Sequence, residues 1–160
     1  MEFLSSSEAD TIRFGERLAT QLIESDVICL SGELGVGKTR LVKGIAKGLG
    51  INPNIVRSPT FVLMNMYEGR LPLYHFDFYR MNEDDEMSFV GYDDFFYGEG
   101  ISVIEWPQRL GNVLPAEHLD IEIFYQQGDI RLIKIRALGK RYEVMLSSLF
   151  KRRVKRRTDI

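Results

Sequence analysis

The sequence predicts a single α/β domain with a mostly parallel central sheet, antiparallel hairpin strands at its margins and helices on both faces. Three observations lead there. Residues 27–30 and 101–104 are short, continuously apolar runs of the kind found in strands buried on both faces. Between them, a glycine-rich turn at residues 32–37 leads directly into a stretch with helical spacing. Two further pairs of segments, 60–67 with 73–77 and 118–125 with 130–137, are joined by short polar turns and read as hairpins.

Each element follows from local chemistry. Ser7 is placed to cap a first helix over residues 8–24, whose apolar positions Ile12, Phe14, Leu18, Leu22 and Ile23 recur at helical intervals. Residues 38–49 repeat the pattern through Leu41, Val42, Ile45, Ala46 and Leu49, and Gly50 supplies the stop. Asn52, Pro53 and Asn54 mark a turn, Ser58-Pro59 biases the chain toward an extended course over 60–67, and Glu68-Gly69 reverses it. An acidic helix is expected near 83–89 and a final helix from about Lys140.

At 160 residues and 44% hydrophobic content, the chain suits one domain with one substantial core. No run approaches the roughly 18 apolar residues of a membrane span. The N-terminus lacks a basic, apolar leader and Cys29 is the single cysteine, better read as a small buried hydrophobe than as a nucleophile. A reducing, cytoplasmic setting is expected. The net charge of −2 conceals an asymmetry: six of the seven residues from 151 to 157 are basic, leaving 15 basic against 23 acidic residues elsewhere. Residues 81–108 contain no Lys or Arg and eight acidic side chains, a composition that repels nucleic acid. The division expected is a domain over 1–150 and a basic tail over 151–160.

Residues 32–39, G-E-L-G-V-G-K-T, satisfy G-x-x-x-x-G-K-[ST] in full and sit between a predicted strand and a predicted helix. Glycines let the backbone wrap an anion so that its N–H groups and the helix N-terminus face the charge. Lys38 then reaches the outer phosphates of a nucleoside triphosphate, most simply ATP, and the Thr39 hydroxyl is offered to Mg2+. Hydrolysis also needs a carboxylate near the metal and a group that orients water. Glu105, ending the run 101–104, is the first choice for the magnesium shell, since open α/β sheets place ligands at the carboxyl edge of their strands. Asp77, ending 73–76, serves either metal or water. His75 and the Trp106-Pro107 pair are expected to be packing and turn residues.

Four motifs occur in order: L-S-G-E-L-G-V-G-K-T at 30–39, S-P-T-F at 58–61, H-F-D-F-Y-R at 75–80 and I-E-W-P at 104–107. With them the chain resembles the bacterial TsaE (YjeE) family, P-loop ATPases of tRNA threonylcarbamoyladenosine biosynthesis, from Thr11 to about Ala137. The resemblance implies a P-loop fold, ATP and Mg2+ as cofactors, nucleotide contacts from Gly35, Val36, Gly37, Lys38, Thr39 and Arg40, metal contacts from Thr39 and Glu105, and catalysis by Asp77 with Lys38. It further implies that residues 58–61 act as a nucleotide-sensing switch, that Thr11, in T-x-x-x-G-x-x-L-A, lies beside the adenine, and that Arg131 and Gln108 touch the nucleotide. Gln108 stands where many members carry an acidic residue, and as a neutral amide it can still hydrogen-bond nucleotide or water. The implied partners are the TsaD and TsaB proteins, with tRNA reached through them or through the basic tail. Two readings follow: an ATPase that resets the modifying complex between rounds, and an adaptor in which binding alone matters. A small-molecule kinase, the third class, lacks an acceptor pocket recognisable in the sequence.

Overall fold

The computed structural model of the chain describes residues 1–82 and 91–151. Its elements run β1 (Glu2–Ser5), α1 (Glu8–Ala19), β2 (Val27–Ser31), α2 (Lys38–Gly48), β3 (Met64–Tyr67), β4 (Leu73–Asp77), α3 (Tyr92–Phe96), β5 (Ile101–Glu105), β6 (His118–Gln127), β7 (Ile130–Leu138) and α4 (Lys140–Lys151), with 3₁₀ turns at Pro53–Ile55 and Pro107–Val113. The acidic helix expected at 83–89 and the tail beyond Lys151 lie outside the described residues.

The strands form one seven-stranded sheet in the order β1-β7-β6-β2-β5-β4-β3. Its centre, β6-β2-β5-β4, is parallel, while β3 and the β7-β1 pair close the two margins antiparallel. The fold expected from the apolar runs and hairpins is therefore the fold observed. Side-chain alternation divides the core. Ile28, Leu30, Ile101, Val103 and Leu73 pack with α1, α2 and α4. Val27, Cys29, Phe76 and Ile104 pack on the other face with Tyr92 and Phe96 of α3 and Leu110 of the second 3₁₀ turn. On that second face Phe76 meets Phe78, Tyr92, Phe95 and Phe96 at centroid distances of 5.5–5.9 Å, mostly edge-on.

Differences from expectation have local causes. The first helix stops at Ala19: the Thr20 hydroxyl donates to Arg17 O at 2.7 Å, Asp26 accepts from the Ile23 amide at 2.8 Å, and Ser25 takes a positive φ of 65°. Leu22 keeps its place in the core from a turn instead of a helix. Residues 60–63 form a turn, closed by Val62 N–H to Pro59 O at 3.0 Å, so only 64–67 are extended. β1 is an element the sequence reading did not assign. It is held by pairing to β7 and by Phe3 stacking on Phe14 at 5.2 Å.

α4 is tied across the molecule. Tyr142 Oη accepts from the Val27 amide at 2.8 Å, and burial pushes the Tyr142 phenol up to about 12. Arg141 grips buried Asp26 through both carboxylate oxygens and donates to Gln21 O.

The contact between α1 and α2 is built from small residues. A Cβ on Gly15 would lie 2.6 Å from Leu41 O, and one on Gly44 would overlap the Ile12 carbonyl. Both obstacles are backbone, which side-chain rotation cannot relieve. Gly44→Ala is expected to lower stability by about 1–3 kcal/mol through overpacking, outweighing a helix-propensity gain of up to about 1 kcal/mol. Urea unfolding should show a reduced midpoint with unchanged slope.

Candidate functional site

β2 ends at Ser31 and delivers the chain into the glycine loop at the carboxyl edge of the parallel strands. Gly35 and Gly37 have φ of +77° and +118°, left-handed conformations that a side chain disfavours. They turn the backbone so that α2 begins at Lys38 without a side-chain cap. The first N–H groups of an α-helix have no intrahelical acceptor, so this end is free to receive an anion.

The loop walls a cleft of about 480 Å³, within the range of small-molecule sites. Gly35, Val36, Gly37, Lys38, Thr39, Arg40, Asp77, Glu105, Thr11 and Arg131 all line it. Ten of the eleven residues expected to touch nucleotide or metal or to act in catalysis are thus brought together. Gln108 is not among the lining residues: it is exposed on the 3₁₀ turn that follows Trp106.

Lys38 is 5% exposed and folds back on the loop, donating from Nζ to Gly32 O at 2.6 Å and Glu33 O at 3.0 Å. Its ammonium also lies 5.3 Å from the centroid of Trp106, the one tryptophan in the chain. Burial holds the Lys38 pKa below its ordinary value of 10.5, against the opposing pull of Glu105 and Asp77.

The two carboxylates are neighbours by strand register. Asp77 pairs with Glu105 across β4 and β5, and Leu30 of β2 flanks Glu105 on the other side. Both are 3% exposed. Asp77 Oδ2 accepts from Thr60 Oγ1 at 2.6 Å and Ser58 Oγ at 3.2 Å, while its Oδ1 accepts from the Tyr79 amide at 2.9 Å. The 58–61 segment is therefore fastened to the carboxylate by its two hydroxyls. Glu105 Oε1 lies 2.8 Å from Nε2 of fully buried His75. Expected to be a packing residue, His75 instead touches the site.

Other walls come from the hairpin and α1. Arg131 donates from Nε to Val36 O at 2.8 Å, which ties β7 to the glycine loop. Thr11 is buried, with its hydroxyl 2.7 Å from that of Ser5. Arg40 forms an ion pair with Glu8 at 3.2 Å. Glu8, Lys43 and Asp129 also line the cleft and were not singled out from sequence. Periodicity points to two of them: Lys43 stands one helical turn after Thr39, and Glu8 three residues before Thr11.

Thr39, Glu105 and Asp77 offer oxygen atoms in one cleft, hard donors of the kind that Mg2+ takes.

A buried lysine behind left-handed glycines, a helix start and two strand-end carboxylates define a single α/β domain with a glycine-loop cleft at the carboxyl edge of its parallel strands. The sequence profile of the TsaE family, threonylcarbamoyl adenosine biosynthesis protein TsaE, matches residues 5–133, and the chain belongs to that family. A tRNA threonylcarbamoyladenosine biosynthesis protein TsaE from Bacillus subtilis is 46% identical over 125 residues, covering 78% of this chain and 77% of its own. Its namesake from Treponema pallidum is 42% identical over 123 residues, covering 77% and 90% respectively. The crystal structure of Bacillus subtilis YdiB superposes with a TM-score of 0.84 at 35% identity, covering 96% of this chain and 95% of that one.

The lowered Lys38 pKa has a pH signature. A lysine whose folded pKa lies below its unfolded one binds fewer protons when folded, so stability rises with pH between the lowered value and 10.5. The stability of the nucleotide-free parent, measured by urea unfolding relative to Lys38→Met, should therefore increase as pH rises toward 10.5. A pH-independent difference would mean that Lys38 titrates as a free lysine.

Proposed function

We propose that the chain binds Mg-ATP in the glycine-loop cleft and hydrolyses it as an auxiliary subunit of tRNA threonylcarbamoyladenosine synthesis. The observation that carries the reading is the convergence of Lys38, Thr39, Asp77 and Glu105 on one cleft. Gly35, Val36, Gly37 and the start of α2 would offer backbone N–H groups to the phosphates, and Lys38 would turn to them from the Gly32 and Glu33 carbonyls. Thr39 and Glu105 would hold Mg2+, which would supply positive charge beside the phosphoryl oxygens. Asp77, on the neighbouring strand end, orients the attacking water. Arg40, Lys43 and Arg131 add positive charge along the walls, and Thr11 stands on the base side.

The partners proposed are TsaD and TsaB, in the cytoplasm, with hydrolysis permitting repeated rounds of modification. The name shared by the curated relatives supports the pathway, and the resemblance in the four motifs supports the partners. An adaptor role, in which nucleotide binding alone arranges residues 58–61, is favoured by one observation: the Ser58 and Thr60 hydroxyls already contact Asp77.

Lys38→Ala should weaken ATP binding roughly 10- to 100-fold, the worth of about 1.5–3 kcal/mol in hydrogen bonds to a charged group, as read by calorimetry. Asp77→Asn should retain binding and lose about 10²-fold or more in hydrolysis. Reconstituted tRNA modification, counted as products per TsaD–TsaB complex, separates the two readings. Stalling of the Asp77→Asn reaction after one round identifies the ATPase; full turnover identifies the adaptor.

A further inference from the structure

His75 is 0% exposed at the middle of β4, yet it is a polar side chain, and its Nδ1 has no hydrogen-bond partner among the described residues. Leaving a buried polar atom unpaired costs about 1–3 kcal/mol, so an aliphatic residue would satisfy packing at lower cost. What the imidazole supplies is Nε2, 2.8 Å from Glu105 Oε1. The strand register explains the reach. His75 pairs with Val103 while Asp77 pairs with Glu105, so His75 lies one same-face position behind Asp77 and meets Glu105 diagonally.

An ionised carboxylate only accepts hydrogen bonds, so Nε2 carries the proton in this contact. Asp77 is held by different donors: Ser58, Thr60 and the Tyr79 amide. The two acidic groups thus have separate orienting partners, one in the 58–61 segment and one in the rigid sheet.

We propose that His75 is the positioning residue for Glu105, its Nε2–H fixing Oε1 so that the other carboxylate oxygen is presented to the divalent cation of the Mg-nucleotide. The proposal rests on the reading of Glu105 as a magnesium-shell residue. Hydrogen-bond partners of metal-binding side chains contribute about 10- to 100-fold to metal affinity.

The test is a Mg2+ titration of ADP binding, followed by Trp106 fluorescence and calorimetry, on the full chain carrying His75→Leu or His75→Gln. His75→Leu should raise the half-saturating Mg2+ concentration about 10-fold or more and leave metal-free ADP affinity unchanged. His75→Gln, which keeps a donor at a similar reach, should restore most of the loss. Unaltered Mg2+ dependence in folded His75→Leu overturns the proposal, as does equal weakening with and without Mg2+, the mark of a packing role alone. If circular dichroism shows His75→Leu unfolded, His75→Asn replaces it: a raised Mg2+ requirement for the shorter amide with parent-like His75→Gln supports positioning, and parent-like behaviour of both overturns it. Glu105→Gln separates the underlying reading. If it leaves the Mg2+ requirement unchanged, the magnesium role of Glu105 fails; if it raises the requirement while His75→Leu does not, only the positioning role of His75 fails.

Discussion

Parallel pairing of β2, β5 and β4 is the constraint on which the site depends. Because the three strands run the same way and in register, their carboxyl ends fall on one line: the glycine loop leaves β2, Glu105 ends β5 and Asp77 ends β4. Residues separated by more than 70 positions in the chain become wall and floor of one cleft without any loop having to span the distance. A slip of one residue between β4 and β5 would turn Asp77 and His75 toward the aromatic face. The hydrophobic alternation of Leu73, Phe76, Val103 and Ile104 between two cores opposes that slip, so the same burial that stabilises the sheet also aligns its acids.

The second support is the close approach of α1 to α2. Gly15 and Gly44 let the helix backbones nearly touch, and this fixes the wall bearing Glu8 and Thr11 against the helix that begins at the glycine loop. Arg131 performs a comparable task from the hairpin, through its bond to Val36 O. The margins of the sheet therefore contribute to the cleft even though its chemistry comes from the centre.

Most of this was legible in the sequence where one physical rule governs a short segment. The runs 27–30 and 101–104 are strands, the G-x-x-x-x-G-K-[ST] segment is a glycine turn from strand to helix, and Glu105 and Asp77 emerge at strand ends as their positions imply. Sequence was less informative where two rules compete. Leu22 and Ile23 continue the helical pattern of α1, but Asp26 and Ser25 end it with side-chain and backbone geometry that periodicity does not encode. β1 has four residues and a pattern too short to read, and only its pairing with β7 makes it a strand. His75 lies within the strand run 73–77, where packing is the expectation; its contact with Glu105 depends on which strand lies beside β4, a long-range fact. Gln108 follows I-E-W-P directly, and the positive φ of Trp106, 58°, leads into a 3₁₀ turn on which Gln108 is exposed.

The double contact of Ser58 and Thr60 with Asp77 has a thermodynamic corollary. On the proposed reading one carboxylate serves both hydroxyls and the cleft, so the placement of 58–61 and the occupancy of the cleft would be joined, and such joining is reciprocal. If occupancy loosens the segment by some factor, then any protein that captures the loosened segment tightens occupancy by that same factor. Phe61 and Val62 are the exposed apolar residues at the tip of that turn.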